Sequence, residues 1–381
     1  MRVSLSRQIQ VKIELLCYGL RTNALVEGIY IRQNPYDQKR TGNVGIQILL
    51  GEDGLPVNIP VFHVFVEQSP YELVEMEGSL FIKNSTSADL MRASVIDAPN
   101  WYMREIPGAG GKFAGDYLLV EGSSTLIVSI TESCLYAKNG RACSFCAIGQ
   151  QSTAACDDVE RRRRILAAID FAFADGDNTY SSINFTGGNS STRDRGIRDY
   201  VPFIKHIREK SSIPICLEIS PPMKDELDAI NECFHLGVNA FMMNLELWDD
   251  QLRKLFMPAK ATIQKDEYYS AWERAIGLVG KGKVSSVLII GLENERSTME
   301  AIEKMTSLGV IPSIMPLRPN NGAILENYLT TQPSLVASLT HKTANLLIRS
   351  GINMDNLPGC IGCGACAAEQ DEFHRLKGGK T

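Results

Sequence analysis

The stretch of the chain most informative about its fold is TLIVSITESCLYAKNGRACSFCAIGQ (125–150). Its first six residues form a β-rich apolar run, which predicts a buried strand. Three cysteines follow, Cys134, Cys143 and Cys146, with eight residues between the first two and two residues between the last two. A strand that leads directly into such a loop predicts a site at the carboxyl-terminal rim of a sheet.

The pattern of strand and helix continues beyond this stretch. Five more apolar β-rich runs follow: SINF (182–185), IPICLEIS (213–220), AFMMNLEL (240–247), VSSVLIIGL (284–292) and IPSIMPL (311–317). Amphipathic stretches lie between these runs, and several end in glycine or lysine as helices do. Six strand–helix repeats predict an α/β fold with parallel strands and right-handed crossovers. An open, partial (β/α)6 TIM-like barrel is the simplest interpretation, because a closed barrel needs eight units, and a doubly wound sheet is the alternative.

The sequence divides into three predicted parts. Residues 1–120 carry short β-rich runs that predict an N-terminal α+β domain of unknown role. These runs are QIQVKIELL, EGIYI, NVGIQILL and PVFHVFVEQ. Residues 121–325 hold the predicted barrel. Residues 326–381 carry one more helix, SLVASLTHKTANLLIRSG, and then the cysteine-rich segment LPGCIGCGACAAEQDEFHRLKGGKT.

The overall composition narrows the class of protein. Of the 381 residues, 44% are hydrophobic and 22% are charged, which is ordinary for a globular protein. A formal net charge of −5 gives no reason to expect nucleic acid or an anionic membrane as a partner. The sequence shows no signal peptide and no run long enough to span a membrane, so we expect a cytoplasmic location. In a reducing compartment, clustered members of the ten cysteines favour metal binding or catalysis over disulfides.

The three-cysteine loop indicates an iron–sulfur site. Three thiolates can bind three corners of a 4Fe–4S cube and leave the fourth iron open to a substrate or cofactor. Structural zinc is the alternative. A zinc site prefers four tetrahedral ligands, and no histidine lies nearby in the sequence to complete one.

This loop resembles that of the radical S-adenosylmethionine (SAM) superfamily. Members usually separate their three cysteines by three and then two residues, with an aromatic residue before the last cysteine. Phe145 holds that aromatic position, although the first gap here is eight residues. The resemblance implies that the three cysteines hold a SAM-binding 4Fe–4S cluster and that the backbone of Phe145 meets the adenine of SAM.

The end of the second predicted strand, NFTGGNSS, also resembles the superfamily. Gly187 and Gly188 correspond to a glycine pair that contacts the methionine amino group, and Asn189 replaces a frequent acidic residue. Glycines let a backbone approach a ligand closely. An ordinary strand-to-helix turn would show the same residues, and this is the alternative.

Within the superfamily, residues 125–325 are similar to biotin synthase. In its fourth strand an asparagine and an acidic residue bind the SAM ribose, and Asn244 and Glu246 fall on those positions. Residues two apart on a strand share one face, so both side chains are expected to point inward. A satisfied polar pair at a strand end is the alternative. In the fifth strand, the similarity implies that Ile289 or Ile290 packs against adenine.

The chain departs from biotin synthase where that enzyme binds a second cluster inside its barrel. Cys216 keeps one ligand position, but Asn184 and Ser285 replace the other two. Asparagine and serine are poor ligands for iron–sulfur clusters, so we do not expect sulfur insertion by that route. Glu218, two residues after Cys216, is expected to point inward and bind SAM or substrate.

The tail carries a second cysteine cluster. Cys360, Cys363 and Cys366 are each separated by two residues, like the start of a bacterial ferredoxin motif, but Gln370 replaces its fourth cysteine. We predict an auxiliary 4Fe–4S cluster whose fourth position is open or filled from elsewhere in the chain. Three distant cysteines could fill it: Cys17, Cys156 and Cys233. Structural zinc and a flexible tail are the alternatives.

The resemblance implies an oxidoreductase that cleaves SAM reductively and generates a 5′-deoxyadenosyl radical. The radical would act on an unknown small substrate, and flavodoxin or ferredoxin would supply electrons. The whole chain is similar to an uncharacterised group encoded beside bacterial nitrilases, which implies nitrogen or nitrile metabolism. The basic run 161–164 predicts a solvated helix face or, alternatively, a docking patch for the electron donor. A non-catalytic iron–sulfur protein and a zinc-stabilised binding protein are the other hypotheses.

Overall fold

The computed structural model describes residues 5–33, 45–87, 89–131, 133–148, 158–176 and 179–379. The first of its two sheets is antiparallel, with the strand order β2-β1-β5-β4-β3. Its strands are β1 (Gly45–Leu50), β2 (Leu55–Pro60), β3 (Tyr71–Met76), β4 (Ser79–Asn84) and β5 (Leu90–Val95). All five strands precede the predicted barrel in the sequence.

Two of the predicted N-terminal strands are wrong. QIQVKIELL lies in helix α1 (Arg7–Tyr18), and EGIYI lies in helix α2 (Ala24–Gln33). The alternating apolar residues of α1 mimic a strand because this helix is buried on most of its faces, against β2 and the helix Pro333–Arg349. Ser6 is the residue that indicates a helix start in the sequence. Its side chain accepts a hydrogen bond from the Ile9 amide as an N-cap.

The other two N-terminal runs have different outcomes. Within NVGIQILL, the described residues form strand β1, as predicted. PVFHVFVEQ instead contains a 3-10 helix, Val64–Gln68, so the prediction of a strand there is wrong beyond Pro60.

The second sheet forms an open, partial (β/α)6 barrel. Its strands are β6 (Leu118–Glu121), β7 (Thr125–Ser129), β8 (Ser182–Thr186), β9 (Ile215–Glu218), β10 (Ala240–Met242), β11 (Val284–Ile290) and β12 (Ile311–Pro316). Strands β7 to β12 are parallel and pair in sequence order, which confirms all six predicted barrel strands. A doubly wound sheet would reverse its strand order at a switch point, so that alternative is wrong. Strand β6, which pairs antiparallel with β7, was not predicted.

Helices follow the barrel strands and continue into the tail. The α-helices after β7 are α3 (Leu135–Lys138), α4 (Asp158–Phe173), α5 (Val201–Arg208), α6 (Asp228–His235), α7 (Asp250–Phe256), α8 (Lys265–Val279), α9 (Glu295–Leu308), α10 (Pro333–Arg349), α11 (Cys360–Cys363) and α12 (Glu369–Leu376). The predicted amphipathic stretches correspond to α4, α5, α6, α8, α9 and α10. Across the described ranges, no helix is both long and apolar enough to cross a membrane.

The N-terminal sheet covers the open side of the barrel between β6 and β12. The side chain of Gln47 on β1 donates to the Val120 carbonyl at 2.8 Å and accepts from the Gly122 amide at 2.7 Å, which fixes β1 to the β6 edge. On the opposite side, Arg318 donates to the Asn58 carbonyl of β2 at 2.8 Å. The first sheet therefore contacts the barrel at both of its edges.

The cysteine-rich tail closes the amino-terminal end of the barrel. The Gly359 amide donates to Ser182 Oγ, at the start of β8, at 2.9 Å. The buried Lys12 of α1 donates to the Gly364 carbonyl at 2.8 Å and to Asp371 at 2.6 Å. These contacts fix the tail below the barrel, at the end opposite the Cys134 loop.

Candidate active site

The three cysteines of the predicted cluster loop line one cavity of about 530 Å³ at the carboxyl end of the barrel. Cys134 immediately precedes helix α3, as its N-cap residue. The Cys146 amide donates to the Cys143 carbonyl at 3.0 Å, which closes a tight turn between these two cysteines. The Ile148 amide points at Cys146 Sγ at 3.4 Å, as amides do around cluster-bound sulfur. The long first gap therefore does not separate the three side chains.

A single metal ion and an iron–sulfur cluster need different arrangements of these cysteines. In the part of the chain that the structure describes, no three His, Cys, Asp or Glu side chains converge closely enough to hold one ion. Zinc needs four ligands within about 2.3 Å of one point. In a cube each thiolate binds a different iron, so the sulfurs stand farther apart. Three cysteines line this cavity, which is the number that a cube with one open iron would need, and a cluster here stays a prediction.

Burial dominates the electrostatics of this loop. Burial, with a smaller contribution from the carboxylate of Glu246, raises the pKa of Cys143 well above the usual range and that of Cys146 to about 11. Lys260 acts in the opposite direction on both thiols. Because metal binding requires thiolates, an iron–sulfur cluster bound here would have to supply the positive charge that releases these protons.

The glycine pair lies where predicted, but its closest contact is with the cysteine loop. A Cβ atom at Gly188 would lie 2.1 Å from the Ser133 carbonyl oxygen and 2.7 Å from Cys134 Cα. The Asn189 carbonyl accepts a hydrogen bond from the Leu135 amide at 2.9 Å. Gly187, Gly188 and Asn189 all line the cavity. Glycine at position 188 is therefore required to seat the loop, and a contact with SAM stays a prediction.

Asn244 and Glu246 both line the cavity, although not as alternate residues of a strand. Strand β10 ends at Met242, and Glu246 has a φ of +69°, a left-handed conformation uncommon for a residue with a side chain. Asn244 donates to Glu218 Oε1 at 2.7 Å, and its own Oδ1 accepts from the Val287 amide at 3.0 Å. Asn244 thus holds neighbouring strands together, in the manner of the polar-pair alternative.

Glu246 forms a buried ion pair that sequence analysis did not predict. Lys260 Nζ lies 3.0 Å from Glu246 Oε1. The second carboxylate oxygen, Oε2, is buried and has no hydrogen-bond partner. Lys260 also lines the cavity, but it lies 14 residues away in the sequence and no motif marks it. One oxygen of Glu246 is therefore held by Lys260, and the other has no protein partner.

An apolar surface lies beside the cysteine loop. Phe145 and Ile289 belong to one hydrophobic cluster with Leu247 and Leu317. Ile290, the alternative to Ile289, is almost fully buried in the main core, so Ile289 is the residue on the barrel side. Phe145 lines the cavity, whereas Ile289 is not among the described residues that line it. A contact of either residue with adenine stays a prediction.

Glu218 lies between two cavities. It lines the upper cavity with the cysteine loop and also a lower one of about 120 Å³ inside the barrel. Burial raises its pKa, and its hydrogen bonds from Thr186 and Asn244 partly offset that effect. As predicted, this side chain points inward, and it forms a shared wall between the two spaces.

The tail cysteines Cys360, Cys363 and Cys366 line the lower cavity. Cys216 lies beside them, because Cys360 packs in its apolar cluster and a Cβ atom at Gly359 would lie 2.4 Å from Cys216 Cβ. Two of the predicted fourth ligands, Cys17 and Cys233, are not among the described residues that line this cavity, and Cys156 lies outside the described residues. Sequence analysis missed Cys216 as a neighbour of the tail.

The basic run has mainly structural contacts. Arg161 donates to the Ser129 carbonyl at 2.9 Å, and so supports the end of β7 just before the cysteine loop. Arg163 and Arg164 each pair with Glu160 at 2.7 Å. These contacts agree with the solvated-helix interpretation, and a docking role stays a prediction.

Comparisons with known proteins show distant likenesses. No family model matches the chain. Bacteriochlorophyllide c C-7(1)-hydroxylase of Chlorobaculum limnaeum is 24% identical over 141 residues, which cover 36% of this chain and 35% of that enzyme. The similarity thus spans about a third of the curated relative.

Two solved structures have a similar arrangement of elements. Coproporphyrinogen III oxidase from Escherichia coli, described as a radical SAM enzyme, has a TM-score of 0.42 at 15% identity, over 60% of this chain and 52% of that one. A radical SAM methyltransferase from Sphaerobacter thermophilus has a TM-score of 0.43 at 14% identity, over 80% of this chain and 82% of that one.

Proposed function

We propose that this protein is a radical SAM enzyme that acts on a small molecule held inside its barrel. One observation carries the proposal. Cys134, Cys143 and Cys146 line a single cavity at the carboxyl end of an open, six-stranded parallel barrel, and no fourth cysteine lines that cavity within the described residues. Three thiolates leave one iron of a 4Fe–4S cube open to SAM.

The residues around this cavity fit SAM. The backbone at Gly187, Gly188 and Asn189 would meet the methionine end of SAM. The unpartnered Glu246 Oε2 offers an acceptor for a ribose hydroxyl, and Phe145 offers an apolar surface for adenine. With SAM bound to a reduced cluster on these cysteines, the cluster would supply one electron to the SAM sulfonium. SAM would then break into methionine and a 5′-deoxyadenosyl radical.

The barrel provides the environment for this chemistry. The first sheet and the tail cover the side and the amino-terminal end of the barrel, and they keep water from the interior. Glu218 and Asn244 present polar groups between the two cavities. A substrate in this space would lie within reach of a radical formed in the upper cavity.

The decisive test is SAM cleavage by protein whose cluster has been reconstituted without oxygen. With dithionite and SAM, we expect the wild-type protein to release 5′-deoxyadenosine, and we expect the Cys143→Ala variant to release none because its cube has lost a ligand. Cys233→Ala is the matched control, because Cys233 is a buried cysteine of α6 outside both cavities. Iron uptake without cleavage would favour a non-catalytic iron–sulfur protein, and stoichiometric zinc without iron would favour a zinc-stabilised binding protein.

The proposal includes an auxiliary 4Fe–4S cluster at the tail. The support is that Cys360, Cys363 and Cys366 line a cavity inside the barrel and that Cys216 lies beside Cys360. The buried Asn184 amide has no hydrogen-bond partner and lies against Gly359, so it could donate to a cluster sulfur. The lower cavity shares Glu218 with the upper one, so a cluster there would lie below the proposed substrate space.

Iron stoichiometry tests the second cluster separately from the first. We expect reconstituted wild-type protein to bind roughly eight irons and Cys363→Ala to bind roughly four, as two cubes and one cube would hold. SAM binding by Cys363→Ala should persist, because the upper cavity keeps all three of its cysteines. Four irons in both proteins would contradict an auxiliary cube.

Further proposals concern the location of the protein, its electron donor and its metabolic setting. We place the protein in the cytoplasm, with flavodoxin or ferredoxin as its electron donor and nitrogen or nitrile metabolism as its setting. The support is the similarity to the group encoded beside nitrilases, together with an exposed Arg162 at the cavity lining, near which an acidic donor could dock. Electron transfer from purified flavodoxin to the reconstituted protein, lost at high salt, would test the donor.

A further inference from the structure

Lys260 is buried in the candidate site, and no motif assigns it a role. Its ammonium lies 3.0 Å from Glu246 Oε1, and only 11% of the lysine side chain and 13% of the glutamate side chain are exposed. Lys260 also lines the cavity that holds Cys143 and Cys146. Burying a lysine in this way is costly unless nearby negative charge compensates it.

The segment that carries Lys260 is fixed against the cysteine loop. Lys260 begins a short 3-10 helix, Lys260–Thr262, just after helix α7. At the end of α7, the Ser144 amide donates to the Phe256 carbonyl at 2.6 Å. Next to it, Arg141 donates to the Pro258 carbonyl at 2.8 Å. The position of the lysine is therefore coupled to the loop that would hold the cluster.

Glu246 is equally constrained from the other side. Its amide donates to the Val287 carbonyl, and its carbonyl accepts from the Ile289 amide, both at 2.9 Å. Its backbone has a left-handed conformation, with a φ of +69°, in the segment that follows β10. Lys260 takes one carboxylate oxygen, and the other has no partner. The pair thus leaves one carboxylate oxygen unpartnered on a residue that lines the cavity.

We propose that Lys260 is a positioning residue that holds Glu246 to accept a ribose hydroxyl and that supplies compensating positive charge beside the cluster. The inference rests on the proposed function. A reduced cluster with three thiolates and a neighbouring carboxylate gathers negative charge at one point, which opposes reduction. A lysine beside them favours the added electron and makes the reduction potential less negative.

Three substitutions separate the two roles. Lys260→Met removes both the charge and the hydrogen bond, so we expect about tenfold weaker SAM binding, the loss of about 1.4 kcal/mol, and a more negative cluster potential. Lys260→Gln keeps a donor for Glu246 without the charge, so SAM binding should be largely retained while the potential still falls. Lys260→Arg keeps the charge, so its potential should stay near that of the wild type. SAM affinity is measured by calorimetry on unreduced protein, and the potential by a titration followed by electron paramagnetic resonance.

Lys265→Met is the matched control, because that lysine pairs at 3.2 Å with the exposed Asp250. We expect it to change neither quantity. If Lys260→Met binds SAM as tightly as the wild type and has the same cluster potential, the inference is overturned. The proposed function still stands in that case, provided that the wild-type protein releases 5′-deoxyadenosine. Should Lys260→Met fail to fold, equal potentials in Lys260→Gln and Lys260→Arg at matched iron content would overturn the charge role. A wild-type protein that binds iron but no SAM would overturn the proposed function and this inference with it.

Discussion

Gly188→Ala is expected to abolish assembly of the cluster on the Cys134 loop. The new methyl group would lie 2.1 Å from the Ser133 carbonyl oxygen and 2.8 Å from Cys134 Cβ. The first of these is a backbone atom that cannot rotate away as a side-chain end can, so the loop must move. Displacement of Cys134 removes one corner ligand of the cube, and SAM cleavage is then lost with it.

Iron analysis after reconstitution measures this effect, and two glycines serve as comparisons. Gly187→Ala should keep most of its iron, because its nearest neighbours are side-chain atoms at 3.1 to 3.3 Å that can yield slightly. Gly277→Ala should behave as the wild type, because nothing lies within 4 Å of a Cβ atom there. In Gly188→Ala we expect about half of the total iron to remain, on the tail cysteines. Full iron with wild-type cleavage in this variant would contradict the prediction.

Lys12→Met is expected to lower the free energy of unfolding by about 3–5 kcal/mol, the usual cost of leaving one member of a buried ion pair alone. The Lys12 side chain is fully buried, and its ammonium lies 2.6 Å from Asp371 and 2.8 Å from the Gly364 carbonyl. Both groups would lose their partner. Because this lysine joins helix α1 to the tail, we also expect weaker binding of iron by Cys360, Cys363 and Cys366.

Urea denaturation at two pH values tests both the size and the cause of this loss. Burial raises the pKa of Asp371, and Lys12 now opposes that rise. Without Lys12 the pKa of Asp371 rises further, so protonation as the pH falls relieves the unpaired charge, and the loss should be smaller at pH 5 than at pH 8. Lys342→Met is the control, because its pair with Glu295 at 2.6 Å is 44% exposed on both sides and should contribute about 0–1 kcal/mol. A loss of that small size in Lys12→Met would contradict the prediction.

The barrel was predictable because its signal is local. Each parallel strand is covered on both faces, so it reads as a continuous apolar run such as VSSVLIIGL, and each helix shows its own period and caps. Helix α9, for example, begins after Asn294, which accepts from the Ser297 amide, and ends at Gly309 with a φ of +89°. The N-terminal helices were missed because α1 is buried on several faces, which hides the usual helical period.

The candidate site was only partly predictable, because sequence motifs record neighbouring residues and not contacts between distant segments. A cysteine spacing and a glycine pair are motifs, since each places a few neighbouring residues on one loop. The pairing of Lys260 with Glu246, and the contact of Cys216 with the tail, join residues on separate elements. The local sequence pattern around these residues does not indicate either contact.

Local pattern was thus enough to predict the order of the six parallel barrel strands and to mark the Cys134 loop as a candidate iron site. The assembled chain alone shows that Gly188 seats this loop, that the tail lies beneath the barrel and that Glu218 separates two cavities. The physical reason is that backbone conformation depends mainly on neighbouring residues, whereas ion pairs, close approaches and cavities depend on the packing of elements distant in sequence.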